Sequence, residues 1–497
     1  MRPFNSPSIS LAEIAQSCGA ESLLTASELA KIFISGVTHT DGDVQAGDLF
    51  IALPGAHRHG AEFAESARKH GAIAVLTDGA GAKLIKDLPC LTVKNPRLSA
   101  GRVAALLHSE PMKDLNCIAI TGTNGKTTVT TLLHQIFEAA HRDCGLIGTV
   151  ETRIGSEVIA SKHTTPEATD LQALAAVMRE RHMRHLVIEA SSHALALHRL
   201  EGSHFAIAGF TNLTQDHLDF HGDMESYFAA KASLFKFGMA DLACINIDDP
   251  FGVRLAALTE LPIITISRSN QSANWHFIEI DSESKTANLK IRGSGGILIE
   301  TSTTMRGSYN FDNLLMAIAI AVESGVDPID IAAIIPHISG AAGRLEEIAV
   351  GQSFNAVVDY AHTPDAVTNV LKSIRSFTSG RVIAVLGCGG DRDSTKRPMM
   401  GSALSDNSDI AIFTSDNPRS EDPEMILQAM TNGLEIAEPS KIISDRAAAI
   451  AYAVSLASDG DTVAVLGKGH ELGQEISGKK LEFDDRLVLA HAIEAKR

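Results

Sequence analysis

The chain has 497 residues, of which 44% are hydrophobic, and carries a formal net charge of -17. This acidic balance argues against a nucleic-acid partner, because a nucleic-acid-binding surface needs clustered Lys and Arg. At roughly 150 residues per domain, the length predicts three globular domains. The N-terminus lacks signal-peptide features, and no apolar run approaches the ~18 residues of a membrane span. The six scattered cysteines contain no C-x-x-C pair, so we expect a cytoplasmic protein without disulfides, zinc knuckle or membrane insertion.

Residues 1–113 combine short apolar runs, such as DLFIAL, AIAVLTD and CLTV, with the helix-like AEFAESARKHG. The stretch GVTHTDGDVQAGDLFIALPGAHRHG, which contains the first of these apolar runs, is rich in turn residues. Asn95-Pro96 and the segment 108–114 are typical of a linker. We predict a small α/β domain here, and its pattern alone indicates no chemistry.

The stretch 118–133, IAITGTNGKTTVTTLL, predicts a nucleotide triphosphate site. An apolar run ends at Gly122 and a helix-like sequence follows Lys126, so Gly122 and Gly125 fall in the turn between them. Backbone N–H groups in such a turn converge on a phosphate, and the lysine reaches the outer phosphates. The first glycine stands three residues before the second, whereas the usual G-x-x-x-x-G-K-[ST] pattern needs five. An ordinary strand-to-helix turn is the alternative.

Residues 114–342 repeat a strand-then-helix pattern, with the strands IAITG, HLVIEASSH, FAIAGFTN, LACINIDD and PIITIS. Near-continuous apolar strands between helices predict a parallel sheet covered on both faces. Ligands bind such sheets where the strands end, so Glu189, Asn212 and the glycine turn should lie close together. The segment 270–304 alternates polar and apolar residues and predicts a small antiparallel insert.

Residues 343–497 start a second α/β series, with AVVDYAH, RVIAVLGCGGDRD, DIAIFTSDNPR and DTVAVLGKGHE. Three of these strands run directly into polar loops that contain Arg392, the run 416–419 and the run 467–471. We predict a second, Rossmann-like sheet with its own crevice at the carboxyl edge.

Glu189 and Thr127 are candidate ligands of Mg²⁺, which prefers oxygen atoms and shares them with phosphates. His217 is a second candidate, although a lone histidine is more often a structural hydrogen-bonding group.

Lys231 lies among small and apolar residues on a predicted helix, in YFAAKASLFKF. One interpretation is a lysine that snorkels from an amphipathic helix. The other is a desolvated amine that reacts with carbon dioxide to form a carbamate, which is an extra carboxylate for a metal. The sequence does not separate the two.

Arg344 lies at the junction of the second and third regions, where it could reach a terminal phosphate when domains close. A surface salt bridge to Glu346 or Glu347 is the alternative. Arg392 and Arg419 end strand-to-loop junctions and suit a substrate carboxylate held by two parallel hydrogen bonds. Their alternative is to brace their own loops through Asp391 or Asp416.

Many motifs in order resemble the Mur ligases from about residue 36 to the end. They are TGTNGKTT, EASSH, TNLTQDHLDFHGDMESY with AAK, NFDNLL, GRLE, DYAHTPDA, GCGGDRD with KRPMMG, DNPR and GKGHE. The resemblance implies amide formation driven by ATP. In that reaction the D-glutamate carboxylate of UDP-N-acetylmuramoyl-L-alanyl-D-glutamate is phosphorylated, and an incoming amine attacks the acyl phosphate through a tetrahedral intermediate.

The resemblance also implies roles on the ATP side of the reaction. The loop around the phosphates corresponds to Gly122, Thr123, Asn124, Gly125, Lys126, Thr127 and Thr128. Asn313 and Asp359 correspond to adenosine contacts, and Arg344 to a contact with the terminal phosphate. The implied magnesium ligands are Thr127, Glu189, His217 and Lys231 as a carbamate. The residues implied in catalysis are Lys126, Lys231, Arg344 and His217.

On the substrate side, the resemblance assigns an N-terminal domain (1–113) to the UDP-sugar, a central domain (114–342) to ATP and a C-terminal domain (343–497) to the amino acid. The implied nucleotide-sugar contacts are His39, Asp41, His57, Arg58, Thr164, Thr165, Ser191, Leu197 and Arg199. Several of these positions depart from the family pattern, because HTD replaces a D-S-R-like run and Leu197 replaces a polar residue. The implied amino-acid contacts are Arg392, Asp416, Asn417, Pro418, Arg419, Gly467 and Glu471.

The run D-N-P-R resembles the version that accepts meso-diaminopimelate, whose second carboxylate Arg419 would hold. Lysine lacks that carboxylate and its ammonium would be repelled, so lysine is the less favoured added amino acid. A folylpolyglutamate synthetase-like ligase would lack D-N-P-R and the first domain's uridine loop. A phosphate-loop switch is the remaining alternative, and it leaves the C-terminal polar loops without a role. We expect a monomer.

Overall fold

Three larger β-sheets organise the computed structural model, which describes residues 1–5, 7–55, 57–161, 163–282 and 286–496. Each sheet is built around parallel strands with helices between them, which confirms the predicted α/β class. None of the described helices is long and apolar enough to cross a membrane. The domain boundaries after residues 113 and 342 stay predictions.

The first sheet is parallel throughout, in the order β3-β4-β5-β6. The strands of this part of the chain are β1 (Ile9–Ser10), β2 (Phe33–Ile34), β3 (Gly36–Thr38), β4 (Asp48–Ile51), β5 (Ala72–Thr77) and β6 (Cys90–Thr92). Its helices are α1 (Leu11–Cys18), α2 (Ala26–Leu29), α3 (Ala64–His70), α4 (Gly79–Ala82) and α5 (Pro96–Leu107). Asn95 caps α5 and Pro96 occupies its first turn, so the Asn95-Pro96 part of the predicted linker is instead the start of a helix.

The central sheet has eleven strands among the described residues, in the order β10-β9-β8-β11-β7-β12-β13-β14-β15-β16-β17. The strands are β7 (Asn116–Thr121), β8 (Cys144–Ile147), β9 (Glu151–Ile154), β10 (Glu157–Ala160), β11 (His185–Glu189), β12 (Phe205–Phe210), β13 (Ala240–Asn246), β14 (Ile263–Ser267), β15 (Trp275–Asp281), β16 (Ala287–Arg292) and β17 (Leu298–Thr303). The helices are α6 (Lys126–Ala139), α7 (Ala168–Glu180), α8 (Ser192–Ala196), α9 (Leu218–His221), α10 (Met224–Ala232), α11 (Pro250–Leu258), α12 (Ser308–Glu323) and α13 (Pro328–Ile334).

Apolar side chains cover both faces of this central sheet. Leu133 of α6 and Leu315 of α12 pack on one face, and Leu171 of α7 and Phe228 of α10 pack on the other. Burial on both faces explains why these strands are almost continuously apolar. The predicted antiparallel insert is confirmed in β15–β17, which extend the same sheet through the parallel pair β14–β15.

The third sheet has the order β18-β19-β23-β20-β21-β22 and is parallel except for the pair β18–β19. The strands of this region are β18 (Glu346–Glu347), β19 (Asn355–Asp359), β20 (Val382–Cys388), β21 (Ile410–Ser415), β22 (Lys441–Ile442), β23 (Thr462–Leu466), β24 (Gly473–Ile476) and β25 (Lys479–Glu482). The helices are α14 (Pro364–Ser376), α15 (Arg397–Asn407), α16 (Pro423–Met430), α17 (Arg446–Leu456) and α18 (Asp485–Lys496).

Neighbouring strands place the candidate site at one edge of the central sheet and one edge of the third sheet. In the central sheet, β7 lies between β11 and β12, so the glycine turn lies between Glu189 and Asn212. In the third sheet, β20 lies between β21 and β23, so the three polar loops share one edge. Both arrangements follow the rule that ligands bind at the carboxyl ends of parallel strands.

Candidate active site

The turn between β7 and α6 has the geometry of a phosphate loop. Gly122 has φ 148° and Gly125 has φ 90°, a region that residues with side chains rarely occupy. A β-carbon at Gly122 would collide with the Thr211 hydroxyl, and one at Gly125 with the Asn313 amide. No side chain caps α6, so its first N–H groups have no partner inside the helix. An anion fits at this helix start.

Two lysines converge on this loop. Lys126 Nζ donates to the carbonyls of Gly122 and Thr123, each at 2.9 Å, and Lys231 Nζ donates to the Gly122 carbonyl at 2.7 Å. Within the described ranges neither lysine forms an ion pair with a carboxylate. Burial lowers the pKa of both amines, and the charge of Lys126 lowers that of Lys231 further. The loop therefore concentrates positive charge that an anionic ligand would neutralise.

Lys231 lies on α10 and is 1% exposed, with its Nζ 4.7 Å from the centre of the Tyr227 ring. The snorkelling interpretation is therefore wrong, because the amine points inward to the phosphate loop instead of reaching solvent. Its pKa lies well below the ordinary lysine value because of burial. A larger neutral fraction makes the amine more nucleophilic, as carbamate formation requires.

Glu189 ends β11 and is 1% exposed beside the loop. Its Oε2 accepts from the hydroxyls of Thr127 (2.9 Å) and Thr149 (3.1 Å), and its Oε1 accepts from the Thr149 N–H (2.7 Å). The predicted pair of Glu189 and Thr127 is thus in direct contact. Carboxylate and hydroxyl oxygens next to a phosphate loop are a donor set that suits Mg²⁺. The described residues contain no cluster of three or more His, Cys, Asp or Glu arranged for a metal.

His217 is the N-cap residue before α9 and has φ 53°, and its Nε2 lies 3.4 Å from Asp216 Oδ2. Burial lowers the pKa of His217 to about 4, although Asp216 opposes that shift. The ring is therefore neutral near pH 7 and retains a lone pair for a metal ion or a hydrogen bond.

A cavity of about 530 Å³ is lined from both sides of the junction between the second and third regions. Asn124, Gly125 and Asn313 line it from the central sheet, and Arg344 and Asp359 line it from the C-terminal side. The predicted adenosine contacts therefore share a cavity with the phosphate loop.

Arg344 lies with its guanidinium carbon 4.5 Å from the centre of the Tyr360 ring. Its Nε is buried and has no hydrogen-bond partner among the described residues. The alternative of a salt bridge to Glu346 or Glu347 is wrong, because Glu346 instead accepts from the Gly343 N–H at 2.6 Å and faces Arg486 at 3.7 Å. Arg344 retains hydrogen-bonding capacity toward the cavity.

Arg419 follows β21 with φ 54°, at the C-terminal edge. Its Nη1 donates to the Gly390 carbonyl at 2.5 Å, and its Nε lies 3.8 Å from Glu475 Oε2. The alternative that Arg419 braces its loop through Asp391 or Asp416 is therefore wrong about the partners. Arg392, on the loop after β20, is exposed.

Asn417, Glu471 and Lys468 form a network between the loops after β21 and β23. Asn417 Nδ2 donates to Glu471 Oε2 at 2.8 Å, and Lys468 Nζ donates to the same oxygen at 2.9 Å. A β-carbon at Gly467, which has φ 110°, would lie 2.7 Å from Asp416 Oδ2. Burial raises the pKa of Asp416. The structure thus brings together five of the predicted amino-acid contacts, because Pro418 follows Asn417 directly.

Four predicted nucleotide-sugar contacts lie together beside Glu189. Thr165 Oγ1 donates to the Glu189 carbonyl at 2.6 Å and to Ser191 Oγ at 3.2 Å, and Arg199 Nη1 donates to the Thr165 carbonyl at 3.1 Å. Thr164 bonds to the Thr149 hydroxyl at 3.0 Å. These hydrogen bonds connect the four residues to Glu189, which is a candidate metal ligand.

The remaining predicted sugar contacts are more scattered. His39 contacts α7 of the central region, because its Nδ1 lies 2.9 Å from Thr169 Oγ1. His57 and Arg58 are exposed, and Arg58 pairs with Glu62 at 2.9 Å. Asp41 and Leu197 are half-buried, and within the described ranges their side chains form no hydrogen bond with this group.

Three features of the site had no counterpart in the sequence interpretation. The first is Lys468, which is fully buried. Its position inside the motif G-K-G-H-E could have identified it as a site residue. Arg446 pairs with Asp485 at 2.6 Å, with both side chains fully buried, and donates to the carbonyls that end β21 and β23. Lys396 pairs with Asp216 at 2.7 Å and so joins the C-terminal region to the loop of His217. Contacts between distant loops leave no local signal in a sequence.

A phosphate loop in one α/β lobe that shares a cavity with a second such lobe fits the class of ATP-dependent ligases. The chain belongs to the Mur ligase family, since it matches the family descriptions "Mur ligase family, catalytic domain" over residues 34–110, "Mur ligase middle domain" over 120–321 and "Mur ligase, glutamate ligase domain" over 343–469.

Relatives and solved structures agree with this membership. A UDP-N-acetylmuramoyl-L-alanyl-D-glutamate--2,6-diaminopimelate ligase of Streptomyces coelicolor is 46% identical, over 99% of this chain and 98% of that protein. A solved structure with the same ligase name is 33% identical, has a TM-score of 0.70 and covers 98% of this chain and 99% of its own. A folylpolyglutamate synthase of Mycobacterium tuberculosis complexed with ADP and AMPPCP is similar in fold alone, at 17% identity and a TM-score of 0.58, over 75% of this chain and 92% of its own.

Proposed function

We propose that this chain joins meso-2,6-diaminopimelate to UDP-N-acetylmuramoyl-L-alanyl-D-glutamate in an ATP-driven step of peptidoglycan precursor synthesis. The names of the full-length relatives support this reaction. The observation that carries the proposal is the cavity that Gly125 lines from one lobe and Arg344 lines from the other. Such a cavity lets groups from both lobes act on one phosphoryl group.

In the first step, ATP places its phosphates on the loop from Gly122 to Thr128 and its adenosine against Asn313 and Asp359. An oxygen of the D-glutamate carboxylate attacks the γ-phosphorus, and the bond from that phosphorus to ADP breaks. Lys126 and Arg344 neutralise charge on the transferring group. Positioning and charge neutralisation account for most of the rate in such transfers.

In the second step, the amine of diaminopimelate attacks the acyl carbon. The carbon–nitrogen bond forms, the amine loses a proton, and the carbon–oxygen bond to phosphate breaks. The amine must be held close to the acyl phosphate, because water would otherwise hydrolyse it. The ion pair between Lys396 and Asp216 supports this approach, since it joins the two lobes.

The residues near the loop fit a magnesium ion, because Glu189 and Thr127 present contacting oxygens. Thr127, Glu189, His217 and Lys231 as a carbamate would hold it, and it would shield the negative charge of the phosphates. The carbamate forms when the neutral Lys231 nitrogen attacks carbon dioxide and a proton leaves the nitrogen. Burial of this amine supports that reaction.

We assign the UDP-sugar to a domain over residues 1–113, ATP to 114–342 and the amino acid to 343–497. The proposed contacts of the nucleotide sugar are His39, Asp41, His57, Arg58, Thr164, Thr165, Ser191, Leu197 and Arg199. The proposed contacts of the amino acid are Arg392, Asp416, Asn417, Pro418, Arg419, Gly467 and Glu471. Arg419 holds the second carboxylate of diaminopimelate. The enzyme works as a monomer in the cytoplasm, where ATP is available.

An ATP-consumption assay tests the proposal directly. The purified chain is supplied with UDP-N-acetylmuramoyl-L-alanyl-D-glutamate and either meso-diaminopimelate or lysine. We expect phosphate release that depends on diaminopimelate, with a product heavier by one diaminopimelate residue. Faster turnover with lysine would contradict the role of Arg419, and release that depends on neither amino acid would contradict the ligase assignment.

A further inference from the structure

Lys468 is completely buried in the loop that follows β23. Its Nζ donates to Glu471 Oε2 at 2.9 Å and to Asn417 Oδ1 at 3.1 Å, and it lies 4.0 Å from Asp416 Oδ1. A lysine is rarely buried unless its charge is paired and hydrogen-bonded. All three partners belong to the proposed amino-acid pocket, yet the reaction described above gives this cation no task.

The hydrogen bonds around Asn417 determine which way its amide faces. Its Oδ1 accepts from Lys468 and from the Glu475 N–H at 2.9 Å, so its Nδ2 must be the group that donates to Glu471 Oε2 at 2.8 Å. An amide flipped about this position would place an NH₂ group against two donors. Lys468 and the Glu475 N–H therefore fix the orientation of Asn417 together.

The same network selects one oxygen of Glu471. Both of its side-chain hydrogen bonds end on Oε2, whereas Oε1 accepts none from the residues that the structure describes. The side chain of Glu471 is 33% exposed. Glu471 is thus held through one oxygen while the other stays available to a ligand.

Charge in this network favours a cationic ligand group. Asp416 and Glu471 share the single ammonium of Lys468, while Arg446 is already paired with Asp485 at 2.6 Å. One negative charge is left over, and the ammonium of an amino acid would balance it.

We propose that Lys468 is a positioning residue for amino-acid binding, which holds Asn417 and Glu471 so that Glu471 presents its free oxygen to the ammonium of the incoming diamino acid. The inference rests on the proposed function, because it takes Glu471 as part of the amino-acid pocket. Lys468 itself does not touch the substrate.

A double-mutant cycle tests whether Lys468 acts through Glu471. The variants are Lys468→Met, Glu471→Gln and the two combined, with Lys479→Met as a matched control on the exposed hairpin. The KM values for diaminopimelate and for ATP are measured for each, together with the thermal unfolding midpoint. We expect Lys468→Met to raise the KM for diaminopimelate about tenfold, as for a lost hydrogen bond to a charged group, and to leave that for ATP unchanged.

The combined variant gives the decisive reading. If Lys468 acts through Glu471, the combined variant has the same KM for diaminopimelate as Glu471→Gln alone. This comparison holds even if Lys468→Met alone is insoluble, because the combined variant removes both charges of the pair. Additive effects, or equal changes in the KM for both substrates, would overturn the inference. If Glu471→Gln itself leaves the KM for diaminopimelate unchanged, the proposed pocket fails instead.

Discussion

The phosphate loop and the C-terminal pocket use buried lysines in opposite ways. At the loop, Lys126 and Lys231 both donate to the Gly122 carbonyl, and neither pairs with a carboxylate in the part of the chain that the structure describes. In the pocket, Lys468 already pairs with Glu471 at 2.9 Å and bonds to Asn417. One site holds lysines without a carboxylate partner, and the other holds a lysine that is paired with a carboxylate before any ligand arrives.

This difference corresponds to the ligands that we propose for each site. A polyphosphate carries negative charge that offsets the cost of burying two lysine amines without a carboxylate partner. Diaminopimelate carries charges of both signs, and it differs from lysine by a second carboxylate at one end. Its site therefore needs side chains with fixed directions.

The largest expected effect follows from removing Lys231, one of the two unpaired lysines of the loop. Replacing Lys231 with Ala should lower kcat by about 10³-fold, because the site loses a charged group near the transferring phosphoryl. Small carboxylates such as acetate should restore part of the activity if a carbamate is the lost group. Lys236, which is exposed, provides the control through Lys236→Ala. Full activity of Lys231→Ala in a steady-state assay would remove this lysine from the mechanism.

Arg344 tests whether the C-terminal lobe acts on the phosphoryl group. We expect Arg344→Ala to slow acyl-phosphate formation about 10²-fold in single-turnover quench experiments. Isothermal titration should find the affinity for the nucleotide sugar nearly unchanged, because Arg344 lines the cavity of the phosphate loop. Arg344→Lys keeps the charge without the planar fork, so its rate of acyl-phosphate formation should lie between those of the unchanged protein and of Arg344→Ala. An equal loss of affinity for the nucleotide sugar would contradict the assignment of Arg344 to the phosphoryl group.

Arg419 tests whether the C-terminal pocket recognises its ligand through side chains with fixed directions. Arg419→Ala should raise the KM for diaminopimelate by about 10- to 100-fold, as expected for lost hydrogen bonds to a carboxylate. The KM for ATP should stay constant, and discrimination against lysine should weaken. Equal changes in both KM values would refute the contact between this arginine and the second carboxylate.

The smallest expected effect concerns the acid stability of the central sheet. Burial lowers the pKa of His185 on β11, and of His108 next to α7, from 6.5 to about 4. Both rings stay neutral in the folded protein while the unfolded chain binds protons, so their contribution to stability is complete above pH 6.5. It declines toward pH 4 by up to about 1.4 kcal/mol per pH unit for each histidine.

Urea unfolding at pH 7.5 and at pH 5.5 measures this effect. Trp275 is the one tryptophan of the chain and is buried in the central sheet, so its fluorescence reports that lobe, whereas circular dichroism reports the whole protein. The fluorescence midpoint should fall more than the dichroism midpoint on acidification. Equal shifts would mean that the C-terminal lobe, where burial lowers the pKa of His470 to about 4, is equally sensitive.

The sequence predicted those parts of the site that depend on neighbouring residues. Two glycines before a lysine predicted the phosphate loop, and polar residues directly after apolar strands predicted the two edges where the site lies. It left Lys231 undecided between two interpretations, because the environment of a helical lysine depends on what the helix packs against. The structure places its amine at the Gly122 carbonyl.

The sequence by itself determined the fold class, the family and the residue types available for chemistry. Only the tertiary structure decided which charges are paired. Arg446 meets Asp485 and Lys396 meets Asp216 across long stretches of chain. A local sequence pattern reflects the spacing of residues along one helix or strand. An ion pair between distant residues depends on distances that exist only after the sheets have packed.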